Sequence, residues 1–143
     1  MADILQDFPV KASRTKVFEA FSTCRGLDAW WTLDSAGVAE VGSEFALNFG
    51  PEYQWRAEVT RFVPGEEIEY TFHVADHDWR SSRVGCRLSQ NGDATTVHFY
   101  HRGWPEANEH YRISSHCWAL YLRLLRRYLE CGEIVPYAER LNA

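Results

Sequence analysis

ATTVHFYHRGWPEANEHYRISSHCWALYLRLLRRYLECG, residues 94–132, is the stretch on which the fold turns. From Ala94 to His101 polar and apolar residues alternate, the period of a half-buried strand. After His101-Arg102-Gly103-Trp104-Pro105 the residues favour helix without a break as far as Cys131-Gly132. Pro105 suits a first helical turn, and Gly132 suits the left-handed residue that ends one, with Pro136 beyond. About 26 residues at 1.5 Å each make a rod of roughly 39 Å. It carries Tyr111, Trp118, Leu122, Leu125 and Leu129 on one face, and such a stripe is stable only when another element covers it.

The cover has to come from the middle of the chain. Ile4 to Val10 reads as a first strand, and Ser13 offers a cap to a short helix bearing Val17, Phe18 and Phe21. A second short helix follows through Leu27 to Trp31. Alternating segments come next: Phe45, Leu47 and Phe49; Trp55, Ala57 and Val59; Ile68, Tyr70, Phe72 and Val74; Val84, Cys86 and Leu88; Val97 and Phe99. Gly50-Pro51, Pro64-Gly65 and Asn91-Gly92-Asp93 mark the hairpin turns between them. Strand and helix do not alternate, which disfavours a parallel doubly wound sheet. The reading is α+β: one curved antiparallel sheet wrapped around a long C-terminal helix, with two short helices after the first strand, in a single domain over residues 1–143.

Composition narrows the function. Aromatic residues make up 15% of the 143, six of them Trp, which is more ring surface than a core of this size needs and suits a cavity wall. The net charge is −5, and the Lys+Arg total of 15 includes only Lys11 and Lys16 as lysines, so no phosphate-binding field is evident and nucleic acid is excluded as a partner. The start of the chain lacks the pattern of a signal peptide and no apolar run reaches a bilayer's length, so the protein is expected in the cytoplasm and off the membrane. Cys24, Cys86, Cys117 and Cys131 form no Cys-x-x-Cys pair and read as small buried hydrophobes, without a disulfide.

Several segments spanning nearly the whole chain match a known family: Ala29-Trp30-Trp31-Thr32, Val41-Gly42-Ser43-Glu44-Phe45, Val59 to Pro64, Thr96 to Trp104, and Trp118 with Leu122, Leu125, Tyr128-Leu129-Glu130 and Gly132-Glu133. In order and spacing they resemble the heat-shock protein 90 ATPase activator homologue-like family of the START-like (SRPBCC, birch-pollen-allergen-like) superfamily. The resemblance implies a helix-grip fold with a hydrophobic cavity between sheet and long helix. Superfamily relatives bind lipids, sterols or polyketides or catalyse cyclisation, and one family member is a chaperone co-activator. The additional N-terminal domain of that co-activator has no counterpart in this sequence. Where the family commonly has Phe after His-x-Gly, this chain has Trp104, which would reshape one end of the pocket.

A wall of rings is the expected ligand site: Trp30 and Trp31 closing one end, Phe45, Phe49, Trp55, Tyr70, Phe72 and Phe99 on the sheet, and His101, Trp104, Trp118 and Tyr121 at the junction and roof; the alternative is that these rings meet in the middle and leave no void. The ligand is then a small apolar or aromatic molecule, with no cofactor. For catalysis the candidates are His101 and Tyr121, with Tyr70, Tyr111 and Ser114 near them, as a cyclase, dehydratase or isomerase would need. His101 more often satisfies backbone groups at such a junction, so a binder is preferred to an enzyme, and an interaction module resembling the co-activator is the third reading. A metal site is disfavoured: His98 and His101 lie three apart on one strand, so they point to opposite faces, and His73 to His77 crosses a turn. A second helix stripe, Ile113, Cys117, Leu120, Leu124 and Cys131, needs its own cover, either the tail with Ile134, Val135, Tyr137 and Leu141 or the second copy of a homodimer.

Overall fold

Period-two alternation builds the sheet. In the computed structural model, which describes residues 2–143, seven strands form: β1 (Ala2–Val10), β2 (Asp34–Ala36), β3 (Glu44–Asn48), β4 (Gln54–Val63), β5 (Glu67–Val74), β6 (Arg83–Asn91) and β7 (Ala94–Trp104). Every neighbouring pair is antiparallel and the order is β1-β7-β6-β5-β4-β3-β2, so the last strand returns to sit beside the first. Between β1 and β2 lie α1 (Arg14–Ser22) and α2 (Cys24–Trp30), and α3 (Glu109–Cys131) follows β7. A terminal 3-10 turn (Tyr137–Asn142) packs back on α3. This curved antiparallel sheet with its long terminal helix is the helix-grip architecture.

Local chemistry sets the helix ends. Ser13 Oγ accepts from the Lys16 backbone N–H at 3.3 Å, and Thr23 Oγ1 accepts from Gly26 N–H at 3.0 Å. α3 starts at Glu109, four residues later than Pro105. β7 continues through Trp104, and Asn108 Oδ1 accepts from Tyr111 N–H at 2.9 Å, a cap that Pro105 has no side chain to make. Gly132 ends α3 in the left-handed region with φ 70°. The strand β2 has no apolar alternation in Asp34-Ser35-Ala36 to announce it.

The inner face follows the sequence pattern with one exception. Phe45, Leu47, Ala57, Val59, Ile68, Tyr70, Phe72, Val84, Cys86, Leu88, Val97 and Phe99 are buried beneath Trp118, Leu122 and Leu125 of α3. Val74 is exposed instead: the pairing slips between Arg56 and Ala57, and the slip takes the end of β5 off the inner face. On the outer face Tyr100 lies across Gly85 and donates to Glu69 Oε2 at 2.6 Å, while Thr60 Oγ1 donates to Glu69 Oε1 at 2.7 Å. A Cβ at Gly85 would stand 2.7 Å from the Tyr100 hydroxyl and 2.6 Å from the Ile68 carbonyl oxygen, so only glycine lets the ring lie there.

Two expectations need correction. Of the four cysteines, all free thiols, only Cys86 is buried, where burial raises its pKa; Cys24 and Cys117 are partly exposed and Cys131 is exposed. The second stripe of α3 is divided: Leu124 is buried, Cys117 and Leu120 are half-buried, and Ile113 and Cys131 face solvent. The tail supplies part of the cover. Arg140, itself buried, donates to the carbonyls of Asp28 (2.7 Å), Thr32 (3.1 Å) and Val135 (3.0 Å), which fixes a cation on the C-terminal carbonyls of α2.

Candidate functional site

The rings named from the sequence separate into two groups. Under α1 and α2, Trp30, Phe45 and Tyr70 pack with Phe21: Trp30 meets Phe21 edge to face at 5.2 Å, and Phe45 meets Tyr70 at 5.2 Å. Their polar atoms are satisfied, since Trp30 Nε1 donates to the Ala20 carbonyl at 2.9 Å and the Tyr70 hydroxyl to the Phe21 carbonyl at 2.6 Å. Burial raises the Tyr70 pKa, so it stays a neutral phenol.

Trp31 links this group to a second one beneath α3, lying 5.2 Å from Trp118 and 5.4 Å from Phe49. There Phe49, Trp55, Phe72, Phe99, His101, Trp104 and Trp118 are joined around a residue the sequence reading did not select, Trp79. Its ring lies 4.4 Å from His101, 4.8 Å from Trp55, 5.3 Å from Phe72, and 6.0 Å from both Trp104 and Trp118. Trp79 belongs to no strand; it sits in the connection between β5 and β6, behind a turn made by Trp79 N–H and Arg80 N–H donating to the Asp76 carbonyl. A signal was available in the sequence. A lone Trp amid Asp76-His77-Asp78 and Arg80-Ser81-Ser82 is too large an apolar group to leave in water, so its loop has to fold inward.

Of the two arrangements the rings allow, open wall and filled core, the structure has the filled one. What is left between α3 and the rings is a cleft of about 60 Å³, lined by Trp31, Trp79, Ser114, Cys117, Trp118 and Tyr121. It holds water-sized guests, whereas pockets for drug-sized ligands run to roughly 300–1,000 Å³. Cys117 and Tyr121 are only half-buried, so the cleft reaches the surface on their side. The Tyr121 pKa is pushed up to about 12, chiefly by burial, which leaves a neutral hydroxyl at the mouth. Trp31, Trp118 and Tyr121 are thus the wall residues brought to the cleft, Phe49, Trp55, Phe72, Phe99, His101 and Trp104 stand behind them, and Trp30, Phe45 and Tyr70 lie apart. A larger hollow of about 380 Å³ on the outer sheet face is lined by Arg61, Glu67, Arg83, Arg87 and Arg102 and is polar throughout its rim.

His101 is fully occupied. Trp118 Nε1 can only donate, and it does so to His101 Nδ1 at 3.0 Å, so the proton of the neutral ring is on Nε2. Nε2–H then donates to Ser82 Oγ at 2.8 Å, and Ser82 donates to the Trp79 carbonyl. Burial, with the charge of His110 a lesser cause, lowers the His101 pKa to about 3. A base needs a free lone pair, and this ring offers none. His98 lies on the opposite face of β7, with Nδ1 3.0 Å from Asp7.

By contrast, Trp79 Nε1 and Trp104 Nε1 are buried and have no hydrogen-bond partner among the described residues. A buried donor without an acceptor forfeits about 1–3 kcal/mol, so two on adjoining rings are a concentrated cost. The loop carrying Trp79 is also the one place where a residue other than glycine has a left-handed backbone among the described residues, Ser81 at φ 69°. It is tied to the start of α3 by Asp78 Oδ2, 3.1 Å from His110 Nδ1 and 3.3 Å from Asn108 Nδ2. The His110 contact, first among several, holds the Asp78 carboxyl below its usual pKa.

Comparison with known proteins agrees with this geometry. The family model described as "Activator of Hsp90 ATPase homolog 1-like protein" matches residues 11–130. No curated protein matches the chain. Among solved structures, the Aha1 dimer from Colwellia psychrerythraea superposes with TM-score 0.83 at 27% identity, covering 93% of this chain and 99% of that one. The protein MLL2253 from Mesorhizobium loti gives TM-score 0.81 at 17% identity over 92% of this chain and 99% of its own. CalU16 from Micromonospora echinospora gives 0.74 at 21% identity over 96% and 83%; these last two likenesses are of fold alone. Among the described residues no helix is long and apolar enough to cross a membrane.

Proposed function

The chain belongs to the activator of Hsp90 ATPase homolog 1-like family, and from that premise we propose that it binds a small apolar or aromatic molecule between the sheet and α3. The observation that carries the reading is the cleft of about 60 Å³ bounded by Trp31, Trp79, Trp118 and Tyr121, which opens between α3 and the rings and marks an entry that a ligand would have to widen by moving a ring. Its walls offer stacking surfaces, and its few polar groups, Ser114 and the Tyr121 hydroxyl, stand at one side, the distribution that orients a ligand in an apolar pocket. An acid–base enzyme is less well supported, because both ring nitrogens of His101 are engaged.

The reading extends to assembly as a homodimer. The Colwellia protein is described as a dimer, and Ile113, Ile134 and Leu141 are exposed apolar side chains here. Sedimentation should show a second species at high concentration, and a monomer throughout removes this part.

Binding is tested by native mass spectrometry of freshly purified protein and by quenching of Trp fluorescence with 2-naphthol. A retained small apolar mass, or saturable quenching weakened at least tenfold by Trp118→Ala in folded protein, supports the proposal. No retained mass together with linear, unsaturable quenching in the wild type sinks it.

A further inference from the structure

We infer that the ring of Trp79 occupies the ligand site, and that the loop of residues 75–82 withdraws it when a planar aromatic molecule carrying a hydrogen-bond acceptor takes its place. This rests on the binding reading above and names where the guest goes and what it must carry.

Three features of the Trp79 loop converge. The interior is filled, and Trp79, which fills it beside the cleft, comes from a loop, whereas the rings it touches, Trp55, Phe72, His101, Trp104 and Trp118, come from strands or α3. A loop moves its side chain by changing a few backbone angles; a strand in mid-sheet would have to break its ladder. Residues 76–80 are held by contacts that open individually, the Asp76 turn and the Asp78 pair with Asn108 and His110, while Ser81 and Ser82 are anchored to Phe72 by backbone bonds (2.8 and 2.9 Å) and to His101, and act as the hinge. Ser81, at positive φ, already departs from the backbone that serine prefers. Most tellingly, the ring is an incomplete fit to its own pocket, because its indole N–H is buried without an acceptor.

The polar inventory of the space decides the ligand class. Trp104, fully buried 6.0 Å from Trp79, presents a second N–H with no acceptor. His101 can accept nothing more at Nε2 and gives its Nδ1 lone pair to Trp118. Beside Trp104 a guest therefore meets an unused donor, while the groups of the cleft able to accept, the Ser114 and Tyr121 hydroxyls, belong to α3 on the other wall. An aryl ketone or lactone fits that inventory; a molecule whose inner edge is an N–H does not.

The test uses three bicyclic probes of similar size: coumarin, which only accepts, naphthalene, which does neither, and indole, which donates. Each is titrated into the wild type and into Trp79→Leu by calorimetry, with circular dichroism and a thermal melt to show that the variant is folded. Expected is coumarin binding at least tenfold tighter to Trp79→Leu than to the wild type, with coumarin ahead of naphthalene and indole last, and with the coumarin preference lost in Trp79→Leu/Trp104→Phe. In wild-type protein carrying 5-fluorotryptophan, the ¹⁹F resonance assigned to Trp79 should move toward its solvent-exposed value on saturation with coumarin. The fluorine measurement stands even if Trp79→Leu fails to fold. If the wild type binds the probes as tightly as the variant and the Trp79 resonance stays put, the inference fails while the binding reading survives. If folded wild type and variant both take up none of the probes, the two fail together. A tie between coumarin and naphthalene overturns the acceptor.

Discussion

Beneath α1 and α2, Trp30 and Tyr70 each give their one polar hydrogen to a backbone carbonyl, whereas beneath α3 Trp79 and Trp104 are as deeply set and give theirs to nothing. Both regions are walls of touching rings, so apolar area does not separate them. Polar satisfaction does. A group with every donor paired is finished as core, and altering it only costs stability; a group with two orphaned donors has kept some of its energy unspent, and a guest with the right acceptor recovers it. The difference supports the proposal that the Trp79 side takes the ligand while the Trp30 side serves as scaffold.

The largest effect should come from truncating each region in turn. Trp30→Ala removes a buried ring and strands the Ala20 carbonyl, and large-to-small changes of this kind cost about 3–5 kcal/mol. Trp79→Ala also empties a ring's volume but removes an orphaned donor worth about 1–3 kcal/mol, so its loss should be smaller by about that amount. Urea midpoints of the two variants measure the gap, and equal losses would erase the distinction between the regions.

Next in size is a pH effect confined to the Trp79 side. His101 has a folded pKa of about 3 because burial disfavours its charged form, while an unfolded chain's histidine titrates near about 6.5. Between those values the unfolded chain binds the extra proton, so stability is fully present above about pH 6.5 and declines as pH falls toward 3. At about 1.4 kcal/mol per pH unit, the drop from pH 6.5 to 4.5 is about 2–3 kcal/mol. Urea unfolding of wild type and His101→Phe at the two values reads it; the variant should show a slope shallower by that amount, and parallel slopes would mean that His101 protonates without unfolding.

The sequence disclosed these regions unequally, for a physical reason. Alternation and the α3 stripe gave every strand but β2, their antiparallel hairpins and the roof, because burial of one face imposes a period that any single chain displays, while the pairing of β1 with β7 leaves no local period to read. The burial of the rings was legible for the same reason, that of Trp31 and Trp118 included. Whether rings meet or leave a void depends on fractions of an ångström that no period records, and so the filled interior was not legible. Trp79 escaped because a loop residue has no periodicity to join. The tail was legible only as apolar letters; its anchor is the charged Arg140, which a hydropathy pattern places in solvent.

That anchor supplies a smaller effect on the finished side. Arg140→Met keeps most of the side chain's length but leaves the Asp28, Thr32 and Val135 carbonyls without their donor, and a hydrogen bond from a charged group contributes about 1.5–3 kcal/mol net. The Asp28 and Val135 carbonyls are only part-buried and can turn to water, so we expect a global loss of about 1.5–3 kcal/mol, that of the buried Thr32 bond. Amide exchange should quicken in residues 137–142, and unchanged protection there would show that Tyr137, through its bond to the Phe49 carbonyl, suffices to hold the tail.

The smallest effect on stability is the one that bears most directly on the mobile side. Asp78 tethers the Trp79 loop to His110 and Asn108 at the start of α3, and Asp78→Asn removes the charge while keeping a group of the same shape. The pair is near the surface and screened, so the urea midpoint should scarcely move. The loop's own opening need not follow global unfolding, since local opening costs only the contacts that local opening breaks. Amides of residues 76–82 should therefore exchange several-fold faster in Asp78→Asn, while those of Phe21 and Trp30 keep the wild-type rate. Faster exchange in both regions alike would mean that the loop and the scaffold open as one unit, and the contrast between a finished core and a displaceable ring would have no dynamic counterpart.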